Sequence, residues 1–480
     1  MAIELAFTNG FYVSRSLPLS HQRCSNVFPH IPTVASLSNE QLFFSPGISE
    51  IANTGDGENR GSHVKNGIAY FVNGTKLYRL NKDVSELLIV SYSVDVLGTV
   101  EGEGMVSMAD NGTQLMILVP DGKGYIYNED AGTPFSEITD TDFTANGNPQ
   151  IVVFIDGYFA VTTDSKKWII SSLNDGTSWN ALDFGTAESD PDNIVAPVVI
   201  DNQIYIIGSE TTEGYQNNPE IGRFPLQRNN IFLDKGCTSP FSVIKTNSSF
   251  FMIGSGVNES PSVWQFANYQ YVKISTPAID FLLASLTDTE LEAVFSASYS
   301  DEGHFFVIFT LPNTSICYDL TTQRWHERNT VIEIDDEDTE TAWRVNSIIT
   351  AYGLLLVGDS QDGRIGHLSL DHLSEYGDNI IRLFTTQPFT NMGNEITSTM
   401  IELTMESGAG NFDVPDPVVS MSASANGKTF TNERIRKIGK KGEYSRRIVW
   451  YKNGRQDRFV VWKFRMSEPI KSSFIKLEFE

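Results

Sequence analysis

Short runs of alternating apolar and polar residues recur along this chain, each introduced by a tight-turn dipeptide. Asn66-Gly67 precedes IAYFV, Asn111-Gly112 precedes TQLMILV, Asp156-Gly157 precedes YFAVTT and Asp201-Asn202 precedes QIYIIG. Asn247-Ser248 then precedes SFFMIG, Glu302-Gly303 precedes HFFVIF, and Tyr352-Gly353 precedes LLLVG. The first four intervals are about 45 residues and the last two roughly 50–55. Most units carry a second strand after a further turn: TKLYRL, GYIYNE, KWIISS, PSVWQF, TSICYDL and RIGHLSL. Strand, turn and strand followed by another pair makes four strands per 40–50 residues, the period of a β-propeller blade.

A lone four-stranded sheet cannot bury both faces, whereas blades set around an axis cover one another and leave only short edges. The pattern therefore predicts an all-β chain. Residues 46–379 form a β-propeller of about seven blades (six to eight fit the spacing), and 1–45 form an N-terminal segment docking on it or closing it. A β-helix is the structural rival, but its rungs need a shorter repeat. SLTDTELEAV, at 285–294 in the longest interval, reads as a short helix inserted between blades.

The rhythm changes near residue 380. TSTMIELTME, VVSMSASANGKTF, RRIVWYK, RFVVWKFRM and FIKLEFE are strands spaced by Gly, Pro and Asn turns, enough for a small antiparallel β-sandwich over 380–480.

Composition agrees. Hydrophobic residues at 40% and charged residues at 20% suit a soluble chain with a large core, and 30 Phe with 17 Tyr suit pleated surfaces. Cys24, Cys237 and Cys317 are too scattered for a disulfide framework or zinc site, which fits a reducing cytoplasm. The start MAIELAFTNGFY lacks the form of a signal peptide, and no apolar run approaches about 18 residues, so no membrane anchor is expected. Sequons such as Asn73-Gly-Thr75 read as turns.

Charge is uneven. The net charge is −25, yet residues 431–480 hold 14 Lys+Arg against 6 Asp+Glu, a local +8 that leaves −33 for the rest. An acidic body with a basic end argues against gripping nucleic acid over the whole surface. It allows an acidic wall along which DNA slides, or a basic foot seated on an acidic partner.

Motifs for phosphate loops, dinucleotide binding, zinc proteases and serine hydrolases are absent, and no histidine pair has metal-ligand spacing. No cofactor, metal or catalytic residue is expected. Asp335-Asp336-Glu337-Asp338 groups carboxylates but lacks the alternating spacing of a calcium loop, so a solvated loop is expected. Ser172-Leu-Asn174-Asp175-Gly176-Thr177-Ser178-Trp179 resembles the Asp-box hairpin of sialidase-type propellers, with Asn174 in place of the family aspartate; one degenerate copy is a turn motif. Trp325-His326-Glu327-Arg328 reads as a structural corner with Trp325 packed between blades. The basic run Arg434, Arg436, Lys437, Lys440, Lys441, Arg446, Arg447, Lys452, Arg455 and Arg458, interleaved with Tyr444, Trp450 and Tyr451, has three readings. In order of expectation these are a solvated hairpin, a subunit-docking surface and a nucleic-acid contact.

Several stretches resemble a known family. GFYVSRSLPLSHQRCSNVFPHIP with LFFSPGI looks like the opening of the packaged-DNA-stabilisation (tail accessory, head-completion) proteins of short-tailed bacteriophages. GCTSPFSVIKTNSSFFMIG, GHFFVIFTLPNTSICYDLTTQRWHER, SASANGKTF and GEYSRRIVWYKNGRQDRFVVWKFRMSEPI are similar to later segments of that family, in the same order. The resemblance implies a structural virion protein of the tail, assembled in the host bacterial cytoplasm. It implies a hexameric hub or nozzle below the portal and its adaptor ring, which retains packaged DNA, passes it through the ring lumen at ejection, and carries a needle, tailspikes or other distal proteins. The rival function is a carbohydrate-binding or glycosidase-type propeller (tailspike- or sialidase-like), which needs several intact Asp-boxes and an Arg cluster. A cellular scaffold propeller would show WD or kelch repeats. The chain has none of these.

Overall fold

The structure is a computed structural model that describes residues 3–17, 19–86, 88–187, 192–218, 224–334, 337–392, 394–456 and 458–480. Among them, each dipeptide of the repeat opens the second strand of a separate sheet, and there are seven such sheets. At Glu302-Gly303 and Tyr352-Gly353 both residues have positive φ (43° and 83°, 57° and 78°), the left-handed backbone of the two-residue hairpins that match strand twist. The second strands, such as Ile68–Asn73, Leu115–Leu118 and Phe250–Ser255, are almost wholly buried, as expected of strands covered by neighbouring sheets on both faces.

Blade 1 runs from Asn59–Lys65 to Val90–Thr99, blade 2 from Ser107–Asp110 to Phe135–Glu137, and blade 3 from Pro149–Ile155 to Asp175–Thr186. Blade 4 runs from Ile194–Ile200 to Leu226–Leu233, blade 5 from Gly236–Cys237 to Gln270–Lys273, and blade 6 from Phe295–Asp301 to Arg324–Ile334. Blade 7 takes three strands, Val345–Ala351, Leu354–Asp359 and Arg364–Ser369, from its own stretch of chain; its fourth is Gly47–Asn53, antiparallel to Arg364–Ser369. Leu356 and Ile365 of blade 7 pack on Ala69, Phe71 and Leu80 of blade 1, so the ring closes by packing as well as by hydrogen bonds. The predicted helix is present as Asp288–Glu292, where Thr287 and Glu290 form a capping box.

The sandwich draws on both ends of the chain. One sheet has the order Ile448–Gln456, Ile396–Met405, Ser473–Phe479, Gln41–Phe44, Val27–His30, and Ile3–Leu5 also pairs with Ser473–Phe479. The other contains Arg434–Lys437, Val418–Ser424, Phe459–Met466 and Arg382–Thr385. It continues through Cys24–Ser25 into Arg324–Ile334 of blade 6, by the pairings Leu383↔Ser25 and Glu327↔Ser25. The core between the sheets holds Phe7, Phe384, Trp450, Trp462, Phe464 and Phe474. The N-terminal segment thus supplies strands to the sandwich, and the closing strand lies just after it.

This joint is polar as well as apolar. Arg23 bonds Glu327 and Glu340 at 2.8 and 2.6 Å, and Asn26, at φ 55°, ties the backbone of Asn329 to that of Ile381. Trp325 lies at the start of the last strand of blade 6 rather than at a corner, and packs between blades 5 and 6 with Phe251, Ile253 and Phe309. His326, next along, is fully buried among Phe28 and Phe306 with neither ring nitrogen hydrogen-bonded.

Burial pushes the pKa of His326 down to about 3, with Arg328 and His304 adding to the effect against Asp319. The unfolded chain takes up a proton here below about pH 6.5 and the folded chain does not, so stability falls with acidification, by roughly 2 kcal/mol at pH 5. Denaturant midpoints at pH 7.5 and pH 5 test this. His326→Leu should show a clearly smaller drop than the wild type, and equal drops would refute the assignment.

Candidate functional site

The ten basic residues named from the sequence lie along the open side of the sandwich. Arg434–Lys437 ends one sheet and Ile448–Gln456 ends the other. The two ends are sewn together: Arg434 donates to the Tyr451 carbonyl at 2.6 Å and to Asn453 Oδ1 at 2.7 Å, and Arg436 donates to the Val449 carbonyl at 2.9 Å. In return the Trp450 indole N–H donates to the Arg434 carbonyl at 2.7 Å. Alternation along the strand leaves Arg434 and Arg436 half-buried, while Ile435 and Lys437 face solvent. Burial and the neighbouring Arg436 both lower the pKa of Arg434.

Arg434 and Arg436 therefore close a seam, and the outward charge comes from the others. Lys437 pairs with Asp416, Arg446 with Glu443, Arg455 with Glu395, and Arg447 holds Glu402 by two bonds. The bond from Arg447 keeps the Glu402 carboxyl below its ordinary range. Lys440, Lys441, Lys452 and Arg458 are exposed with no carboxylate within 4.0 Å among the described residues. Between them stand Tyr444 (77% exposed), Tyr451, Ile435 and Phe412 (95% exposed), with Lys441 Nζ 5.3 Å from the Phe412 ring centre. Free cations, exposed aromatics and interspersed carboxylates suit a protein surface better than a phosphate backbone, because the carboxylates weaken attraction for a polyanion. The apolar members Phe412 and Ile435 did not stand out in the sequence, being single apolar residues at turns or edges.

Two of the other sequence candidates are tied into the packing of the propeller. Asp175 accepts from the amide and hydroxyl of Thr177 and from Gln114, and the Trp179 indole donates to the Gly176 carbonyl at 2.9 Å, so the Asp-box-like hairpin braces blade 3 on blade 2. Glu327 pairs with Arg23, and Arg328 lies 4.3 Å over Trp343. Asp335 and Asp336 fall outside the described residues. His30, His304 and Asp319 form a chain (3.0 and 2.7 Å) joining the N-terminal segment to blade 6, and the Thr321 amide and Thr322 hydroxyl also donate to Asp319. The three cysteines are free and buried. No three His, Cys, Asp or Glu side chains among the described residues are placed so that they could hold a metal ion together, and none of their helices is long and apolar enough to cross a membrane.

Both halves of the chain match known families. Residues 3–373 match the family model described as bacteriophage P22 Gp10, beta-propeller, and residues 381–480 match bacteriophage P22 Gp10, beta-sandwich. The chain belongs to the P22 Gp10 family. A curated relative, the tail hub protein gp10 of Salmonella phage P22, is 23% identical over 422 residues, covering 86% of this chain and 85% of its own length. Among solved structures, the chain is similar to the WD40 propeller domain of Doa1 (TM-score 0.39, 13% identity, 67% of this chain and 97% of that one). It is also similar to the N-terminal domain of Nup159 (TM-score 0.42, 10% identity, 72% and 99%). The family match runs through the propeller and the sandwich in order, as the resemblance implied. The basic edge of this Gp10-family chain lies wholly in the beta-sandwich part.

Proposed function

We propose that this protein is a structural, non-catalytic subunit of a phage tail hub. In this reading six copies form a ring below the portal and its adaptor ring, and distal tail proteins such as a needle or tailspikes attach beneath. The ring retains packaged DNA and lets it pass non-specifically through the lumen at ejection. Assembly takes place in the host cytoplasm and the protein ends in the virion tail. The observation that carries the reading is the colinear match of propeller and sandwich to Gp10, whose P22 member is a tail hub protein. The physical build supports it: a closed seven-bladed ring continuous with a sandwich is a stiff spacer, and an acidic body gives DNA little to hold. In this reading the exposed cations and tyrosines of the sandwich edge are a docking surface, not a DNA-binding one.

The test is reconstitution of the purified chain with portal and adaptor rings, viewed by electron microscopy. Six copies added below the adaptor are expected; a connector that gains no density would overturn the proposal. In the same particles the lumen wall should be acidic, and a strongly basic lumen would refute the sliding role. Lys440→Glu, Lys441→Glu and Lys452→Glu together should weaken assembly by at least about tenfold while leaving the melting temperature within about 2 °C, since all three side chains face solvent.

A further inference from the structure

Arg382 begins the strand Arg382–Thr385 that leads into the sandwich, and it is 1% exposed. Its hydrogen bonds among the described residues all go to main-chain carbonyls, of Ile380 and Glu468 at 3.4 Å each and of Leu373 at 3.2 Å. These are long for bonds from a charged donor, and the Nε–H is buried with no partner. Arg328, 0% exposed, is a second buried cation nearby: its Nη2 donates to the Pro46 carbonyl at 2.7 Å, while Nε and Nη1 have no partner. The Glu375 carboxylate acts on Arg382 through space, but its two oxygens accept from the Trp343 indole and the Thr330 hydroxyl, each at 2.8 Å. Burial, with Arg328 adding to it, pushes the Arg382 pKa down to about 10, so the guanidinium is still charged at neutral pH. A buried charge without a counterpart is costly.

A second unpartnered donor borders the same space. Arg382 and Ser45, whose buried hydroxyl has no hydrogen-bond partner among the described residues, both line a cavity of about 170 Å³ between propeller and sandwich. Phe28, Phe43 and Phe44 of the N-terminal segment and Ile470 of the sandwich give it apolar walls. The Phe44 ring covers the Arg382 guanidinium at 4.8 Å. The charged residues Glu302, Glu406 and Lys471 also line the cavity and are exposed, so it opens to solvent there through a mouth of mixed sign. An apolar cavity of about 150 Å³ is large enough for a benzene ring.

We propose that this cavity binds a carboxylate bearing an apolar group of about one ring, with Arg382 and Ser45 donating to the carboxylate and the phenylalanines enclosing the ring. Arg344 shows the pairing that Arg382 lacks, since it meets Asp359 through Nε and Nη2. In Arg382 the Nε–H is free, and Nη2 spends one of its two protons on the Leu373 carbonyl. Chloride or phosphate would answer the cation and leave the apolar walls empty; a neutral ring would do the reverse. The lining comes from the N-terminal segment, blade 6 and the sandwich, so an occupant ties the propeller to the sandwich. A free aromatic acid and the C-terminal phenylalanine of another chain offer the same chemistry.

The test is titration calorimetry with thermal melts on the full chain. The probes are phenylacetate, phenylacetamide, sodium chloride, and the tripeptide Gly-Gly-Phe with a free or an amidated C-terminus. Phenylacetate or the free tripeptide should bind with a Kd of about 1 mM or tighter and raise the melting temperature, and whichever binds names the source. Both amides should bind at least about tenfold more weakly. Ser45→Ala should weaken binding by about three- to tenfold and leave the unliganded melting temperature within about 2 °C, because the hydroxyl has no protein partner to lose. Arg382→Met should lose binding altogether; if it does not fold, Ser45→Ala decides alone. A cavity that holds only water would give no binding of either carboxylate and would overturn the proposal. Amides binding as well as acids, chloride stabilising as much as phenylacetate at equal concentration, or unchanged binding in Ser45→Ala would overturn it too.

Discussion

Asn26→Ala should destabilise the protein by about 3–5 kcal/mol, among the largest effects expected of a single small polar side chain here. Asn26 is 1% exposed, and its carboxamide donates to the carbonyls of Asn329 and Ile381 at 2.8 and 2.9 Å while accepting from the Asn329 amide at 3.1 Å. Truncation leaves those three backbone groups buried without this partner, at a cost of about 1 kcal/mol or more apiece. Alanine must also hold φ near 55°, a left-handed conformation that costs it about 1 kcal/mol. Asn26→Gly removes the same hydrogen bonds without that strain, so it should be milder by about 1 kcal/mol. Calorimetry of both variants decides the point. Equal losses would mean that the backbone conformation does not matter, and a loss under about 1 kcal/mol in both would mean that water replaces the carboxamide. Asn26 joins the N-terminal segment, blade 6 and the linker to the sandwich, so the alanine variant should also split unfolding into two transitions as propeller and sandwich uncouple.

That joint also shows what the sequence makes legible. Every blade announces itself locally, by a turn dipeptide and an apolar run within about ten residues, so the positions of the seven second strands follow from the amino-acid pattern alone. Ring closure is likewise a physical necessity once blades are counted. The partners of Ile3–Leu5, Val27–His30 and Gln41–Phe44 were not legible: these strands are three or four residues long, and two of them pair more than 400 residues away with Ser473–Phe479. No periodicity emerges from so short a run, and nothing in IEL or VFPH names its neighbour.

The basic edge was legible as composition but not as geometry. Ten cations in 25 residues are plain, yet only the register of Arg434–Lys437 shows that Arg434 and Arg436 turn inward to carbonyls while Lys437 faces out to Asp416. Trp325 illustrates a partial reading. Its packing between blades follows from its size and its apolar neighbours, whereas its position on a strand continuous with the sandwich sheet depends on Cys24–Ser25, some 300 residues earlier.

Arg344→Met is expected to cost about 3–5 kcal/mol, because it leaves the Asp359 carboxylate buried with a weaker partner. Arg344 and Asp359 are 2% and 0% exposed, and the guanidinium meets the carboxylate through two nitrogens, with Nη2 at 2.6 Å and Nε at 3.1 Å. Among the described residues, Arg364, at 3.6 Å, and the Gln361 amide, at 2.9 Å, remain beside Asp359 once Arg344 is gone. Burial already pushes the Asp359 carboxyl above its ordinary pKa, against the pull of Arg344. Without Arg344 the carboxyl should rise further and take up a proton on mild acidification, which removes the uncompensated charge. The penalty of Arg344→Met, measured against wild type in denaturant, should therefore be larger at pH 8 than at pH 5. A double variant with Asp359→Leu should recover at least about half of the loss, because a buried pair replaced whole by apolar groups costs far less than a pair broken on one side. A penalty that stays constant with pH and is not relieved by the second substitution would show that Arg344 acts by packing on Tyr376, which its guanidinium approaches to 4.8 Å, and not by compensating Asp359.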